Sequence, residues 1–280
     1  AAYDEGLFPA LAEMEASGAL TCRVGVMVEM PPPELSEKRL AEIGELRRRY
    51  HSPMLNLDGV KFFLDGVLES HTASMPQGYA DRPHETGTLV WKPEAYHSAV
   101  RRVSEAGFQI WTHAIGSGAI RLALDAYARV PKATRSLRHR VEHVEIPFAG
   151  DIPRFKELGA VACLQPVMVA PSDEWMGTDW PIVSLSPLRG IGKAVTRRSL
   201  AGGAAFVPQQ AVSVDEALYA YTAAGAFACH REGQEGSIEV GKLADLVVLD
   251  ADPADVPPER ISEISVLMTV LGGRLVYDAR

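Results

Sequence analysis

The chain is 280 residues long and carries 36 acidic residues against 28 lysines and arginines, a formal net charge of −8 with histidine neutral. That balance, with no block of basic residues, argues against a nucleic-acid surface. At 47% hydrophobic content the chain can bury a sizeable core as one large domain, or one plus a small appendage. No apolar run approaches the ~20 residues needed to cross a bilayer, and no membrane association is expected. Cys22, Cys163 and Cys229 are widely spaced, odd in number and in no CxxC pair, so they read as buried free thiols in a reducing, cytoplasmic compartment.

An acidic pattern over residues 4–17 predicts a helix ended by Gly18, and residues 20–28, LTCRVGVMV, predict a strand. MPPPELS breaks that strand, and a second helix follows from Ser36 with Leu40, Ile43 and Leu46 on one side. After the Asp58-Gly59 turn comes a short strand, residues 60–64, with Lys61 inside it and Asp65-Gly66 closing it. Residues 67–91 have no clear period and many turn formers. Loops this long inside compact domains are usually functional, so a substrate loop is expected here.

A helix over 93–105 leads to FQIWTHAIGS, residues 108–117, a buried strand that stops at Thr112-His113 and turns into the next helix. Residues 137–146, LRHRVEHVEI, read as a strand whose alternation sets Val141, His143 and Glu145 on one face. Asp151 sits in a capping position with Pro153 in the first turn of the helix that follows, and Gly159 ends it. AVACLQPV is then the next strand. Five strand-then-helix units with no hairpin signal between them argue an α/β fold with a parallel sheet, most simply a (β/α) barrel.

One join departs from this rhythm. Only eight residues, 169–176, lie between AVACLQPV and GTDWP, fewer than the ~10–12 of a parallel crossover. Either residues are missing around 175–177 or GTDWP is only a loop. Downstream, residues 186–198 and 212–230 read as helices, the second capped by Ser213 with Glu216 three residues on. From Gly236 the pattern changes to turn, strand and a β-hairpin around Gly272-Gly273. The expected division is a barrel part over 1–235 and a small β element over 236–280.

Lys61, His113, His143 and Asp179 each lie in or at the end of a predicted strand, and in a barrel such positions converge on one mouth. Two neutral imidazoles and a carboxylate form a set that binds Zn²⁺ or a similar metal with an open position. A metal so held lowers the pKa of water towards ~7, and the aspartate can take up the proton and hand it on. Taken singly, a strand lysine usually snorkels to solvent, and a lone histidine is more often a core residue than a ligand. Their recurrence at corresponding strand ends is what favours the functional reading. His71, His84, His97, His139 and His230 fall in loops or on helices and read mostly as surface residues. Trp91, Trp111 and Trp175 read as packing, while Trp180 beside Asp179 is a candidate pocket wall. There is no phosphate loop, GxGxxG or GxSxG elbow.

Several stretches together resemble the amidohydrolase superfamily, in particular its family 3 branch of YtcJ-like proteins and N-substituted formamide deformylases. VKFFLDGVLESHTASMPQGYAD is similar to the strand-four lysine segment and its loop, and WTHAIGSGAIRLALDAY to the strand-five histidine motif. RHRVEHVEI resembles the strand-six motif, ACLQP the strand-seven motif and GTDWPI the GSDWPV segment, while GSIEVGKLADLVVLD resembles the C-terminal signature of a small sandwich. The resemblance implies a (β/α)8 TIM-type barrel, incomplete here because strands 1–2 are not present, with a small C-terminal β-sandwich element. It implies His113 and His143 as metal ligands and Asp179 as metal-contacting general base. Lys61 matches a lysine that is carboxylated and bridges two metals in many members. The cofactor implied is a divalent metal, zinc, as one or two ions. The reaction implied is hydrolysis of an amide or other C–N bond of a small molecule of N-acyl or N-formyl type. Alternatives are a deaminase or cyclic-imide hydrolase, or a non-catalytic regulatory protein.

Glu69, Ser70, Tyr79 and Trp180 are the expected substrate contacts, and the partner is a small molecule, with a homodimer as the expected assembly. There are departures from the family pattern. The strand-one His-x-His pair has no counterpart, Met168 stands in QPVM where QPxH is common, and Gly116-Ser117 replaces Gly-Asp. With the short join near Trp175, these departures lead to the expectation of a partial stretch of a longer enzyme.

Overall fold

The computed structural model describes residues 5–33, 35–166, 186–198 and 203–280. Asp179, Trp180, Trp175, Met168 and the 169–176 join lie outside them. The chain divides into two compact units, Ala1–Leu164 and Gln165–Arg280.

The first unit is built on five parallel strands: β1 (Val24–Glu29), β2 (Leu55–Phe63), β3 (Gln109–Ala114), β4 (Arg140–His143) and β5 (Val161–Cys163). They lie in the order of the sequence, each hydrogen-bonded to the next. Between them run α1 (Leu7–Ala16) before β1, then α2 (Glu37–Arg49), α3 (Pro93–Glu105), α4 (Ser117–Arg129) and α5 (Ile152–Leu158). This is the expected parallel α/β arrangement, present as a five-stranded sheet among the described residues.

Register decides which side chains share a face. Lys61 pairs with Trp111 and Trp111 with Arg140, while Phe63 pairs with His113 and His113 with Glu142. Partners in a parallel ladder point the same way and neighbours along a strand point oppositely. One face therefore carries Lys61, Phe63, Trp111, His113, Arg140, Glu142 and Cys163. The opposite face carries Val60, Phe62, Ile110, Thr112 and Val141, all 0% exposed. That second face packs under α3 and α4: Phe62 meets Tyr96 edge-on at 5.5 Å, and the Thr112 hydroxyl lies 2.7 Å from both Tyr96 and Tyr127.

Several elements differ from the sequence reading, each for a local reason. β2 starts at Leu55 and runs through Asp58-Gly59, because Gly59 leaves room for the neighbouring strand: a Cβ there would sit 2.5 Å from the Gln109 carbonyl oxygen. The strand predicted over 137–146 is shorter, since His143 and Val144 both take left-handed φ values, 77° and 52°. Asp151 stands at the start of α5 without capping it. Its carboxylate accepts instead from Arg121 Nε at 3.0 Å and Arg154 Nη1 at 2.9 Å, tying α5 to α4. His139, read as a surface residue, is 3% exposed and accepts the Ile110 N–H through Nδ1 at 3.2 Å. Of the three cysteines read as buried, Cys22 is exposed in the folded chain and Cys163 and Cys229 are only partly buried.

The second unit holds α6 (Pro187–Thr196) and α7 (Val214–Tyr221), packed around Leu188, Ile191, Ala217 and Ile261, followed by α8 (Ala223–Ala228). The capping box read at Ser213 and Glu216 is present, with Ser213 Oγ accepting from Glu216 N and Glu216 Oε2 accepting from Ser213 N. Three antiparallel strands follow: β6 (Leu246–Leu249), β7 (Val266–Leu271) and β8 (Arg274–Asp278). Gly272 and Gly273 turn the β7–β8 hairpin with φ of 55° and 82°, the left-handed pair that such two-residue turns need. Among the described residues no helix is long and apolar enough to cross a membrane.

Candidate metal centre

The site forms where β2, β3 and β4 end. Lys61 is 6% exposed, so it does not snorkel; its Nζ lies 5.1 Å from the centre of the Phe63 ring, which in turn lies 5.2 Å from His113. His113 stands on the same face, two residues along the ladder. His143 would by alternation belong to the opposite, helix-covered face beside Ala114, its ladder partner. The left-handed backbone at His143-Val144 turns the chain there, and the two imidazoles meet with ring centres 4.5 Å apart. Positive φ is costly for a branched residue such as Val144, and strain of this kind gathers at functional sites.

Burial, reinforced by repulsion from His143 and Lys61, pushes the His113 pKa down to about 3. The ring is therefore neutral at ordinary pH. Its Nε2 lies 3.1 Å from the Gly66 carbonyl oxygen, which can only accept, so Nε2 carries the hydrogen and Nδ1 carries the free lone pair. A neutral imidazole fixed by an outer hydrogen bond is the usual condition of a metal-ligating histidine.

Two carboxylates not singled out from the sequence complete the surroundings. Asp65, read only as a turn residue, is 4% exposed and accepts three backbone N–H groups: Ser74 at 2.8 Å, Ile115 at 3.1 Å and Gly116 at 2.8 Å. Burial raises its pKa while those donors pull it back. Gly116 is required at this junction, because a Cβ there would fall 2.3 Å from the Ser74 carbonyl oxygen. Glu145 leaves β4 beyond the turn at His143. Its pKa is pushed up to about 7 by burial, with Glu69 and Asp65 adding to the rise, and its Oε1 is buried with no hydrogen-bond partner. The only sequence signal for either was a carboxylate just past the end of a parallel strand.

The structure thus gathers Lys61, His113 and His143, and sets Glu69 close enough to Glu145 to act on its charge. The other expected substrate contacts in the loop are engaged within it. Ser70 Oγ lies 2.8 Å from Thr72 Oγ1, and buried Tyr79 donates its hydroxyl to the Ala73 carbonyl at 2.7 Å. Deeper on the same face Arg140 lies 3.5 Å over the Trp111 ring and pairs with Glu142 at 2.9 Å. Cys163 beside them is pushed up to about 12, chiefly by burial, and is inert as a nucleophile.

The donor chemistry fits a divalent metal: two buried imidazoles, that of His113 neutral, with ring centres 4.5 Å apart and close enough to share an ion at ~2.0–2.1 Å from each. Among the described residues no group of three or more His, Cys, Asp or Glu side chains is arranged to hold an ion.

A five-stranded parallel α/β sheet with paired histidines at the ends of neighbouring strands, on the face away from α3 and α4, is an α/β arrangement shared with metal-dependent hydrolases. The amidohydrolase family profile matches residues 4–277, and the chain belongs to that family. It is 31% identical over 275 residues to the Arabidopsis thaliana protein LONG AFTER FAR-RED 3, covering 88% of this chain and 47% of that protein. It is 30% identical over 255 residues to N-substituted formamide deformylase of Arthrobacter pascens, covering 81% and 47%. Among solved structures, an uncharacterized metal-dependent hydrolase from Pyrococcus horikoshii OT3 superposes with a TM-score of 0.76 at 25% identity, covering 92% of this chain and 56% of that one. The chain spans about half the length of these curated relatives.

Proposed function

We propose that the protein is a metal-dependent amidohydrolase that cleaves an amide or related C–N bond of a small molecule, N-acyl or N-formyl compounds being the favoured class. The observation that carries this reading is the pair His113 and His143, buried, 4.5 Å apart between ring centres and drawn together by a strained turn at the end of β4. Membership of the family and the likeness to a deformylase support the choice of bond.

In this reading His113, through Nδ1, and His143 hold one divalent ion, zinc by the chemistry of the donors, and Lys61 stands ready beside it. When bound, the ion supplies an activated water and polarises the carbonyl of the substrate. Asp179, outside the described residues, takes up the proton and returns it to the leaving nitrogen. The loop from Leu68 to Tyr79 and the Trp180 neighbourhood shape the substrate pocket, with Glu69 acting on Glu145. Assay of N-formyl and N-acyl amines in the presence of Zn²⁺ tests the proposal. Turnover that disappears in Asp179→Asn supports it. A wild type that is fully loaded with metal yet as inert as the variant overturns it.

A further inference from the structure

Asp65 lies at the crossing of three segments. It lies two residues past the end of β2, its two oxygens collect the N–H groups of Ser74, Ile115 and Gly116, and its side chain is wholly shielded from solvent. Ser74 belongs to the loop after β2; Ile115 and Gly116 join β3 to α4. The carboxylate therefore pins that loop to the chain that leaves His113. Its Oδ1 is also 3.7 Å from His113 Nε2, the nitrogen that donates to the carbonyl of the adjacent Gly66.

Three backbone donors are more than loop closure alone requires, since residues 65–91 already carry internal bonds such as Thr72 N to Val67 O and Met75 N to Thr86 O. What the three donors fix is the position of the carboxylate and, through the 65–66 peptide, of the Gly66 oxygen. A buried negative charge beside Nε2 favours a hydrogen on that nitrogen, and the Gly66 oxygen supplies its acceptor. We propose that Asp65 is a positioning residue: it sets the tautomer and ring orientation of His113, and it locks the substrate loop to the strand that presents this histidine. The inference rests on the reading of His113 as a ligand, and deepens it.

The test has a readout that needs no turnover. Long-range ¹H–¹⁵N spectra of the metal-free protein, with the His113 resonances assigned by His113→Gln, report which ring nitrogen carries the hydrogen. The expected result is an Nε2–H ring in the wild type and loss of that preference in Asp65→Asn. With it goes a fall of about 10- to 100-fold in Co²⁺ affinity, the usual effect of removing an outer-shell partner. An Asp65→Asn protein of lower thermal stability but unchanged tautomer and Co²⁺ affinity would show a structural role only and overturn the proposal. So would an Nδ1–H ring in the wild type. If Asp65→Asn does not fold, Asp65→Glu, which keeps the charge and displaces it, is read by the same two criteria. A wild type that binds no Co²⁺ would sink the metal reading alone, leaving the tautomer to decide the role of Asp65.

Discussion

The two faces of the five-stranded sheet come from the same residues taken alternately, and they are chemically opposite. Under α3 and α4 lie Val60, Phe62, Ile110 and Val141, sealed and apolar, with Thr112 as the one hydroxyl, shared between two tyrosines. On the other face lie Lys61, Trp111, His113, Arg140 and Glu142, nearly as well shielded yet carrying the polar and charged groups. The apolar face is held by packing that any well-shaped set of hydrocarbons could supply. The polar face is held by specific partners, Arg140 lying on Trp111 and pairing with Glu142. One residue of register separates the two, and His143 reaches the site only because its backbone leaves that register.

The difference can be broken at several points. The largest effect is expected at the site end of the polar face. His143→Ala should lower Zn²⁺ or Co²⁺ affinity by more than the ~100-fold of an outer-shell loss, read by titration calorimetry, while leaving the folded sheet intact by circular dichroism. On the apolar face, Phe62→Ala opens a cavity among Trp91 and Tyr96 and should cost about 3–5 kcal/mol in urea unfolding.

A comparable loss, about 3–5 kcal/mol, is expected from Arg140→Met, because it leaves Glu142 charged, buried and unanswered. Adding Glu142→Gln to that variant should recover most of it, whereas no second change of charge will rescue Phe62→Ala. If Arg140→Met costs no more than an exposed ion pair, the ionic face is held otherwise than described.

Smaller effects sharpen the picture. Burial pushes His139 down to about 4, against 6.5 for a free imidazole. The unfolded chain then binds the proton first, so this contribution to stability is present above pH 6.5 and is lost as the pH falls towards 4. Between pH 7 and pH 5 the loss attributable to His139 should be roughly 2 kcal/mol, and a His139→Gln variant should show an acid limb flatter by that amount. Thr112→Val, which removes the hydroxyl between Tyr96 and Tyr127, is the mildest change and should cost about 1–2 kcal/mol.

Much of this was legible in the sequence. Strand-then-helix alternation gave five parallel strands in chain order, the Ser213 and Glu216 spacing gave a capping box, and Gly272-Gly273 gave a hairpin, because each depends on local periodicity or turn chemistry. Lys61, His113 and His143 could be named as strand-end residues for the same reason. What periodicity could not supply was the turn at His143-Val144: alternation carried a strand through to Glu145, and a left-handed φ at a histidine and a valine leaves no compositional mark. Asp65 was hidden in another way. An Asp-Gly pair reads as a turn, and only the folded chain shows that its acceptors are filled from residues 9, 50 and 51 positions away. His139 looked like a surface residue because its burial depends on Ser104 and Ile110, which come from other elements.

Diffraction at the zinc absorption edge, from crystals of the protein grown with Zn²⁺, tests the central claim most directly. The account predicts an anomalous peak between the two imidazoles, ~2 Å from His113 Nδ1 and from a nitrogen of His143. Zinc bound elsewhere, or held by His113 through Nε2 with Gly66 displaced, would contradict it.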